Sequence, residues 1–145
     1  VLHLAAQALV GRGYREPAGT FASNVTGTIN LLEAIRGLEG MRAALIVTSD
    51  KVYRNDGAGR AFSESDPLGG ADPYSASKAA AEIAVASYRA SFTDIPPLAT
   101  ARAGNVIGGG DFGEDRLIPD LVRAQAAGVP LLVRRPDATR PFQHV

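Results

Sequence analysis

The sequence predicts an α/β fold in which helices cover a parallel β-sheet. Short, uninterrupted apolar runs alternate along the chain with longer segments whose apolar residues recur every three or four positions. The first pattern is typical of parallel strands buried on both faces, and the second of amphipathic helices. Because the two patterns alternate, we expect the strands to pair in parallel around crossover helices.

The first half of the chain contains two predicted strands on either side of a helix. Residues 1–6 form the first apolar run, and residues 43–48 form the second. From Thr20 onward, apolar residues recur at helical spacing, which predicts a helix that ends near Gly37 or Gly40. Residues 54–72 are rich in Gly, Ser, Asp and Arg and predict a surface loop.

The second half begins with the strongest helix signal in the sequence. Pro73 suits a first helical turn, and the alanine-rich run from Ser75 to about Ser91 has high helix propensity. Residues 97–102 predict a third strand, and residues 104–113 a glycine-rich loop. A helix over about residues 117–127 and a strand over residues 129–133 follow.

The composition excludes several classes of function. The 145 residues are enough for one domain with a core, and their formal net charge of zero argues against a nucleic-acid or anionic-membrane surface. No apolar run approaches the roughly 20 residues that span a bilayer. Since there is no cysteine, we expect no disulfide and no thiolate metal site, and we predict no metal site of another kind. This composition fits a cytoplasmic protein.

Both ends of the sequence run into strand-like segments. The chain begins at Val1 within an apolar run and stops at Val145 with no terminating turn. We therefore expect it to be an internal piece of a longer protein. Expressed alone, such a piece would fold poorly and lack activity, because its sheet would have an uncovered edge.

Polar residues follow three of the predicted strands. They lie at residues 5–7, 49–51 and 104–106. Ligands of open parallel sheets bind outside the carboxyl ends of the strands, so we expect these segments to converge on one rim.

Tyr74 and Lys78 are four residues apart at the start of the long helix, on one helix face. A free tyrosine has a pKa of about 10, and a nearby ammonium lowers it toward the range useful for a base. Alone, this spacing is more often an exposed helix pair, and Ser49, which follows a strand, would be an ordinary turn residue. Together they favour a site at which Ser49 binds a substrate hydroxyl and Tyr74 takes its proton.

With further motifs, this pattern resembles the extended short-chain dehydrogenase/reductases, the NAD-dependent epimerase/dehydratase family. The matching segments span the chain in family order: His3-Leu4-Ala5-Ala6-Gln7, Asn24-Val25-x-Gly27-Thr28, Thr48-Ser49-Asp50-Lys51, Asp72-Pro73-Tyr74-Ser75-Ala76-Ser77-Lys78, the run from Ala101 to Asp111, Glu114 to Asp120, and Arg140 to Val145. Ser49-Asp50-Lys51 and the run that contains Gly108-Gly109-Gly110 resemble the nucleotide-sugar 4,6-dehydratases, in the branch that acts on CDP-glucose.

The resemblance implies a Rossmann-like, doubly wound parallel sheet that lacks its first βαβ units and most of its C-terminal substrate region. Residues 1–145 would be a partial NAD-binding domain with the catalytic residues, and about residues 105–145 would begin the sugar-nucleotide-binding region. It also implies a cytoplasmic enzyme with NAD as cofactor and CDP-glucose as substrate, and a homodimer or higher homo-oligomer at full length. No Gly-x-Gly-x-x-Gly motif directly follows a predicted strand, and the run at residues 108–113 should not be read as a dinucleotide fingerprint, so NAD rather than NADP rests on the resemblance alone.

The resemblance implies five catalytic residues. Tyr74, with Lys78 beside it, takes the proton of the sugar C4 hydroxyl, which Ser49 orients. Asp50 then protonates the departing C6 hydroxyl. Related dTDP-glucose dehydratases carry glutamate at the next position as the base for the C5 proton, and Lys51 stands there in this chain. A lysine can act as that base only when its pKa falls from about 10.4 toward neutrality.

Further residues are expected to bind the ligands. The predicted cofactor-binding residues are Leu4, Ala5, Ala6, Gln7, Asn24, Thr48, Tyr74 and Lys78. The predicted substrate-binding residues are Ser49, Asn105, Arg116 and Arg140, the last three of which would meet the diphosphate. His3 fits a hydrogen-bonded core histidine better than a catalyst.

Three alternatives remain open at this point. A nucleotide-sugar 4-epimerase would use Ser49, Tyr74 and Lys78 but has no need of Asp50 and Lys51. The second alternative is a 4,6-dehydratase that acts on another nucleotide sugar. A nonenzymatic dinucleotide-binding protein typically loses the tyrosine or the lysine, and both are present here.

Overall fold

The computed structural model describes residues 1–145, and the chain divides between Ala103 and Gly104 into two units. The first unit, Val1–Ala103, contains a three-stranded sheet with its helices. The second unit, Gly104–Val145, contains a separate strand pair and one helix.

The sheet of the first unit is parallel and has the strand order β1-β2-β3. Its strands are β1 (Leu2–His3), β2 (Ala44–Val47) and β3 (Leu98–Ala101). The predicted parallel α/β architecture is therefore confirmed, and β2 and β3 lie within one residue of their predicted ends. β1 is shorter than predicted because only two of its residues pair with β2.

A series of short helical segments joins β1 to β2. They are α1 (Val10–Arg15), α2 (Pro17–Phe21), a π-helical turn (Ala22–Thr26) and α3 (Gly27–Ile35). The predicted helix thus exists but begins before Thr20, and α1 was not predicted. Two glycines lower the helix propensity of α1, and Pro17 starts a new helix at a position that needs no N–H donor.

The connection from β2 to β3 begins with a 3₁₀ turn (Asp50–Val52) and ends with α4 (Pro73–Ser91), as predicted for the alanine-rich run. Asp72 caps α4, since its carboxylate accepts from the backbone N–H of Ser75 at 3.0 Å. Between them, residues 54–72 form no helix or strand of their own, in agreement with the predicted surface loop; one isolated bridge joins Tyr53 to Leu68.

The core of the first unit lies between the sheet and two helices. Ala44 and Ile46 alternate along β2 and therefore point to the same face, where α3 and α4 cover them. The buried cluster comprises Leu32, Ile35, Ala44, Ile46, Val85 and Leu98. Both helices thus pack on one face of the sheet. By strand alternation, Thr48 and Thr100 lie on this same face.

The second unit differs from the predictions in its strands. β4 (Asn105–Ile107) pairs in parallel with β5 (Phe142–His144), whereas α5 (Leu117–Ala127) has the predicted bounds. The prediction of a strand over residues 129–133 is wrong. The prediction of a loop over residues 104–113 is wrong in its first part, where β4 lies. Pro130 lacks an N–H for a ladder, while β4 takes its partner from the end of the chain, with Asn105 N–H donating to Pro141 C=O at 2.8 Å.

None of the helices is long and apolar enough to cross a membrane.

Candidate active site

Ser49 lies directly after β2 and begins the 3₁₀ turn. Its hydroxyl donates to Asp50 Oδ1 at 3.1 Å and accepts from the backbone N–H of Lys51 at 3.2 Å. The backbone N–H of Asp50 donates to Ala103 C=O at 2.8 Å, so the turn is tied to the segment that follows β3. The carboxyl end of β2 therefore presents a hydroxyl in a defined turn, as the sequence predicted.

Asp50 and Lys51 form an ion pair beside Ser49. Their charged atoms, Asp50 Oδ1 and Lys51 Nζ, are 3.9 Å apart, and each side chain is 30% exposed. A carboxylate and an ammonium, two groups that can exchange a proton, thus stand together at the open side of the turn. A lysine accepts a proton only as a neutral amine, so Lys51 would act as a base only after this ion pair opens.

Tyr74 and Lys78 lie in the first two turns of α4, which packs against the 3₁₀ turn. They are only 8% and 7% exposed. The Lys78 ammonium donates to the Val47 carbonyl at 3.1 Å, and its burial lowers the pKa of Lys78. The dyad is therefore a buried pair at the end of β2 and not an exposed helix pair.

His3 in β1 is half-buried, so the expected core histidine lies only partly within the core. Burial, and to a smaller extent the charge of Lys78, lower the pKa of His3. Because β1 pairs in parallel with β2, with His3 beside Ile46, the carboxyl ends of both strands lie at the same edge of the sheet.

The π-helical turn places Asn24 between the end of β1 and α4. Asn24 is 2% exposed; its oxygen accepts from Gln7 N–H at 2.8 Å, and its nitrogen donates to Gln7 C=O at 3.0 Å and to Ser77 Oγ at 2.8 Å. Ser77 in turn donates to the Tyr74 carbonyl at 2.7 Å. Asn24 therefore braces the Gln7 turn against the tyrosine helix, and we expect it to affect a cofactor through Gln7 and not by direct contact.

The remaining residues of the predicted cofactor site differ in their accessibility. Leu4 and Ala5 are exposed, and Ala6 and Gln7 are half-buried at the carboxyl end of β1. Thr48 is buried, and its hydroxyl donates to Glu82 at 2.5 Å. The side chain of Thr48 is thus turned toward α4, and its predicted role in cofactor binding would fall to its backbone.

A buried polar network beneath the site was missed in the sequence. Glu82 of α4 accepts hydrogen bonds from Thr48, Thr100 and Arg102. The Arg102 guanidinium also lies over the ring of Tyr53, 4.8 Å from its centroid. Glu82 lies four residues after Lys78, and this helical spacing was the signal in the sequence that could have revealed the network.

Two glycines allow the chain to pass close to the start of α4. A Cβ added at Gly13 would lie 3.3 Å from the backbone nitrogen of Tyr74. A Cβ at Gly70 would lie 2.3 Å from the backbone of Ser75 and Ala76, closer than any real contact. Residues larger than glycine at position 70 would therefore displace the first turn of α4.

The second unit contains the predicted diphosphate-binding residues. Asn105 lies in β4 and is half-buried, and Arg140 is exposed. Arg116, at the start of α5, is paired with Asp111 through an Nη1–Oδ2 distance of 2.9 Å. Their predicted contact with a diphosphate remains a prediction, and for Arg116 it would compete with this ion pair.

No group of three or more His, Cys, Asp or Glu side chains is arranged to hold a metal ion.

Comparison with known proteins relates the whole chain to one family. The profile of the NAD dependent epimerase/dehydratase family matches residues 1–145. A CDP-glucose 4,6-dehydratase of Salmonella typhimurium is 43% identical over 152 aligned residues, which cover 100% of this chain and 42% of that protein. The chain therefore spans less than half the length of this relative.

Solved structures with the same fold include a dehydratase and an epimerase. A dTDP-glucose 4,6-dehydratase from Streptomyces venezuelae with NAD bound has a TM-score of 0.85 and 27% identity, covering 99% of this chain and 43% of that one. A UDP-N-acetylglucosamine 4-epimerase from Methanobrevibacter ruminantium has a TM-score of 0.84 and 25% identity, covering 99% and 46%. These are Rossmann-type proteins, so the fold alone does not separate the two reactions.

Proposed function

Because the chain belongs to the NAD-dependent epimerase/dehydratase family, we propose that it carries the catalytic residues of a CDP-glucose 4,6-dehydratase. The reaction converts CDP-glucose to CDP-4-keto-6-deoxyglucose with loss of one water molecule. The observation that carries this proposal is the Ser49-Asp50-Lys51 turn packed against the helix of Tyr74 and Lys78. The 43% identity with the Salmonella enzyme supports CDP-glucose as the nucleotide sugar.

NAD is the cofactor of the family, and the residues at the strand ends fit it. Small side chains at Ala5 and Ala6 allow a flat ligand to approach the end of β1. The Lys78 ammonium carries three N–H donors, and Val47 accepts from one of them, so Lys78 suits the hydroxyl groups of a ribose. Bound there, NAD⁺ would supply the acceptor for the C4 hydride, and NADH the donor of a hydride to C6.

Ser49 and Tyr74 act on the C4 hydroxyl. Ser49 holds the hydroxyl oxygen, and Tyr74 as a phenolate removes its proton while the C4–H bond breaks and a ketone forms. The positive charge of Lys78 stabilises the phenolate. Burial of Lys78 in a site of low dielectric makes this interaction stronger than it would be in water.

Asp50 and Lys51 act on the neighbouring carbons. Transfer of the Lys51 ammonium proton to Asp50 ends their ion pair and gives a neutral amine and a carboxylic acid. The C4 ketone acidifies the C5 hydrogen, and Lys51 as the neutral amine removes it as a proton. Asp50 as the acid protonates the C6 oxygen, which leaves as water. Return of the hydrogen to C6 and of a proton to C5 completes the 4-keto-6-deoxy product, with no net oxidation.

The exposed side of α4 supports the proposal that the full-length protein is a homo-oligomer. Ile83 is exposed on this helix, whereas Ala79, Ala81 and Val85 are buried. Burial of an exposed isoleucine against a second copy would remove apolar surface from water.

The test supplies the full-length protein with NAD⁺ and CDP-, dTDP- or UDP-glucose and identifies the product sugar by NMR. A 4-keto-6-deoxy product from CDP-glucose is the expected result. A galacto product would identify a 4-epimerase, and a 4-keto-6-deoxy product from another nucleotide sugar alone would overturn the substrate assignment. Absence of turnover with all three would leave a nonenzymatic dinucleotide-binding protein.

A further inference from the structure

Glu82 is a buried carboxylate for which the proposed chemistry has no use. It lies four residues after Lys78 and eight after Tyr74, on the same face of α4, and is 4% exposed. A buried carboxylate is costly unless its oxygens accept hydrogen bonds and its charge is paired. Its contacts therefore indicate its role.

Three donors surround the Glu82 carboxylate. Thr48 Oγ1 donates at 2.5 Å, Thr100 Oγ1 at 3.0 Å and Arg102 Nη2 at 3.0 Å. Burial raises the pKa of Glu82, but the hydrogen bonds from Arg102, Thr48 and Thr100 outweigh it, so the net pKa is lowered. The ionised carboxylate is an acceptor only and suits three donors better than a neutral acid.

The strand pattern explains why these donors meet. Alternate residues of a strand share a face, so Thr48 continues the helix-facing side of β2 after Ala44 and Ile46. Thr100 and Arg102 likewise continue the side of β3 that begins with Leu98. Glu82 therefore joins α4 to the carboxyl ends of two neighbouring strands.

Two side chains of α4 hold successive residues at the end of β2. Lys78 donates to the carbonyl of Val47, and Glu82 accepts from the hydroxyl of Thr48. The next residue is Ser49, whose own hydroxyl bonds only within its turn, to Asp50 and Lys51. The backbone N–H groups of Thr48 and Asp50 tie this segment to Ala101 and Ala103, and the contact one residue before Ser49 ties it to α4.

We propose that Glu82 is a positioning residue that fixes Ser49 relative to Tyr74 by holding Thr48 against the helix that carries Tyr74. The inference rests on the proposed function, in which Ser49 and Tyr74 act on the same C4 hydroxyl. A displacement of about 1 Å in such an arrangement can lower a rate by about 100-fold.

The test compares three variants of the full-length enzyme in single-turnover oxidation of C4, followed as NADH formation. T48V removes the hydroxyl that bonds to Glu82, T48S keeps it, and T100V removes another donor of the same carboxylate away from Ser49. We expect T48V to lower the oxidation rate by about 10- to 100-fold. T48S should restore it, and T100V should stay within about 2-fold of the wild type.

Two further readouts separate positioning from a general loss of structure. The KM values of T48V for sugar nucleotide and NAD⁺ should change little, and the midpoint of its pH–rate profile should not move, because Tyr74 and Lys78 remain in place. Equal rate losses in T48V and T100V, or an unchanged rate in T48V, would overturn the inference. Inactive wild-type enzyme would instead refute the proposed function, and the positioning role with it.

Discussion

Replacing Asn24 by alanine tests whether the π-helical turn holds the end of β1 to the tyrosine helix. The asparagine side chain makes three hydrogen bonds, two with the backbone of Gln7 and one with Ser77, at 2.8–3.0 Å. At 2% exposure, little room exists for water to take its place. Alanine would leave these partners facing a small cavity.

The size of the expected loss of stability follows from the polar groups that alanine would leave without a hydrogen-bond partner. A buried donor or acceptor that loses its partner costs about 1–3 kcal/mol. The N–H and C=O of Gln7 would both lose a partner, whereas Ser77 would keep its bond to the Tyr74 carbonyl. With about 1 kcal/mol for each of these two half-buried backbone groups, we expect the free energy of unfolding to fall by about 2 kcal/mol.

The measurement is urea unfolding of the full-length protein, with N30A as the matched control. Asn30 is exposed on α3, so its replacement should change stability by no more than about 0.5 kcal/mol. If N24A differs from the wild type by less than about 1 kcal/mol, the network does not hold the turn and the reasoning is wrong.

Three other predictions concern the site and its supports. K51A should slow solvent-deuterium exchange at C5, followed by NMR, far more than NADH formation from C4; equal losses would contradict Lys51 as the base. G70A should destabilise the protein by about 1–3 kcal/mol in thermal unfolding, because its Cβ would meet the backbone at 2.3 Å, whereas G109A, with no atom within 4 Å, should not. Because the pKa of Glu82 is lowered in the folded state, ionised Glu82 stabilises the fold fully above its ordinary pKa of 4.5, and this stabilisation is lost as pH falls through the folded pKa. The free energy of unfolding should therefore decrease less steeply with falling pH in E82Q than in the wild type. Equal slopes would exclude this contribution.

The central part of the fold could be predicted because its signals are strong and local. The apolar run before Thr48 and the alanine-rich run after Pro73 are each consistent in pattern and propensity, and both elements are found within about two residues of their predicted ends. The run at residues 129–133 has a similar apolar pattern but forms no strand. A strand needs a partner, and the choice of residues 142–144 as the partner of β4 depends on contacts distant in sequence.

The residues proposed to be catalytic were easier to single out in the sequence than the residues that support them. Tyr74 and Ser49 belong to a recognisable spacing, and polar residues at strand ends have an expected place. Glu82 stands in an alanine-rich helix, where a charged residue usually marks the solvent-exposed face. Only the combination of helix spacing from Lys78 with strand alternation to Thr48 reveals that it is buried.

The two parts of the proposed reaction differ in how firmly their residues are held. Tyr74 and Lys78 are buried, and the hydrogen bond from Lys78 to Val47 holds their helix at the strand end. Asp50 and Lys51 are 30% exposed and pair with each other and with Ser49. In the proposed reaction, oxidation at C4 would therefore use a preorganised site, whereas dehydration would require an exposed ion pair to open on binding of the sugar. In this proposal, the difference between a dehydratase and an epimerase depends on two side chains and not on the backbone fold, which agrees with the match of both kinds of enzyme at TM-scores of 0.85 and 0.84.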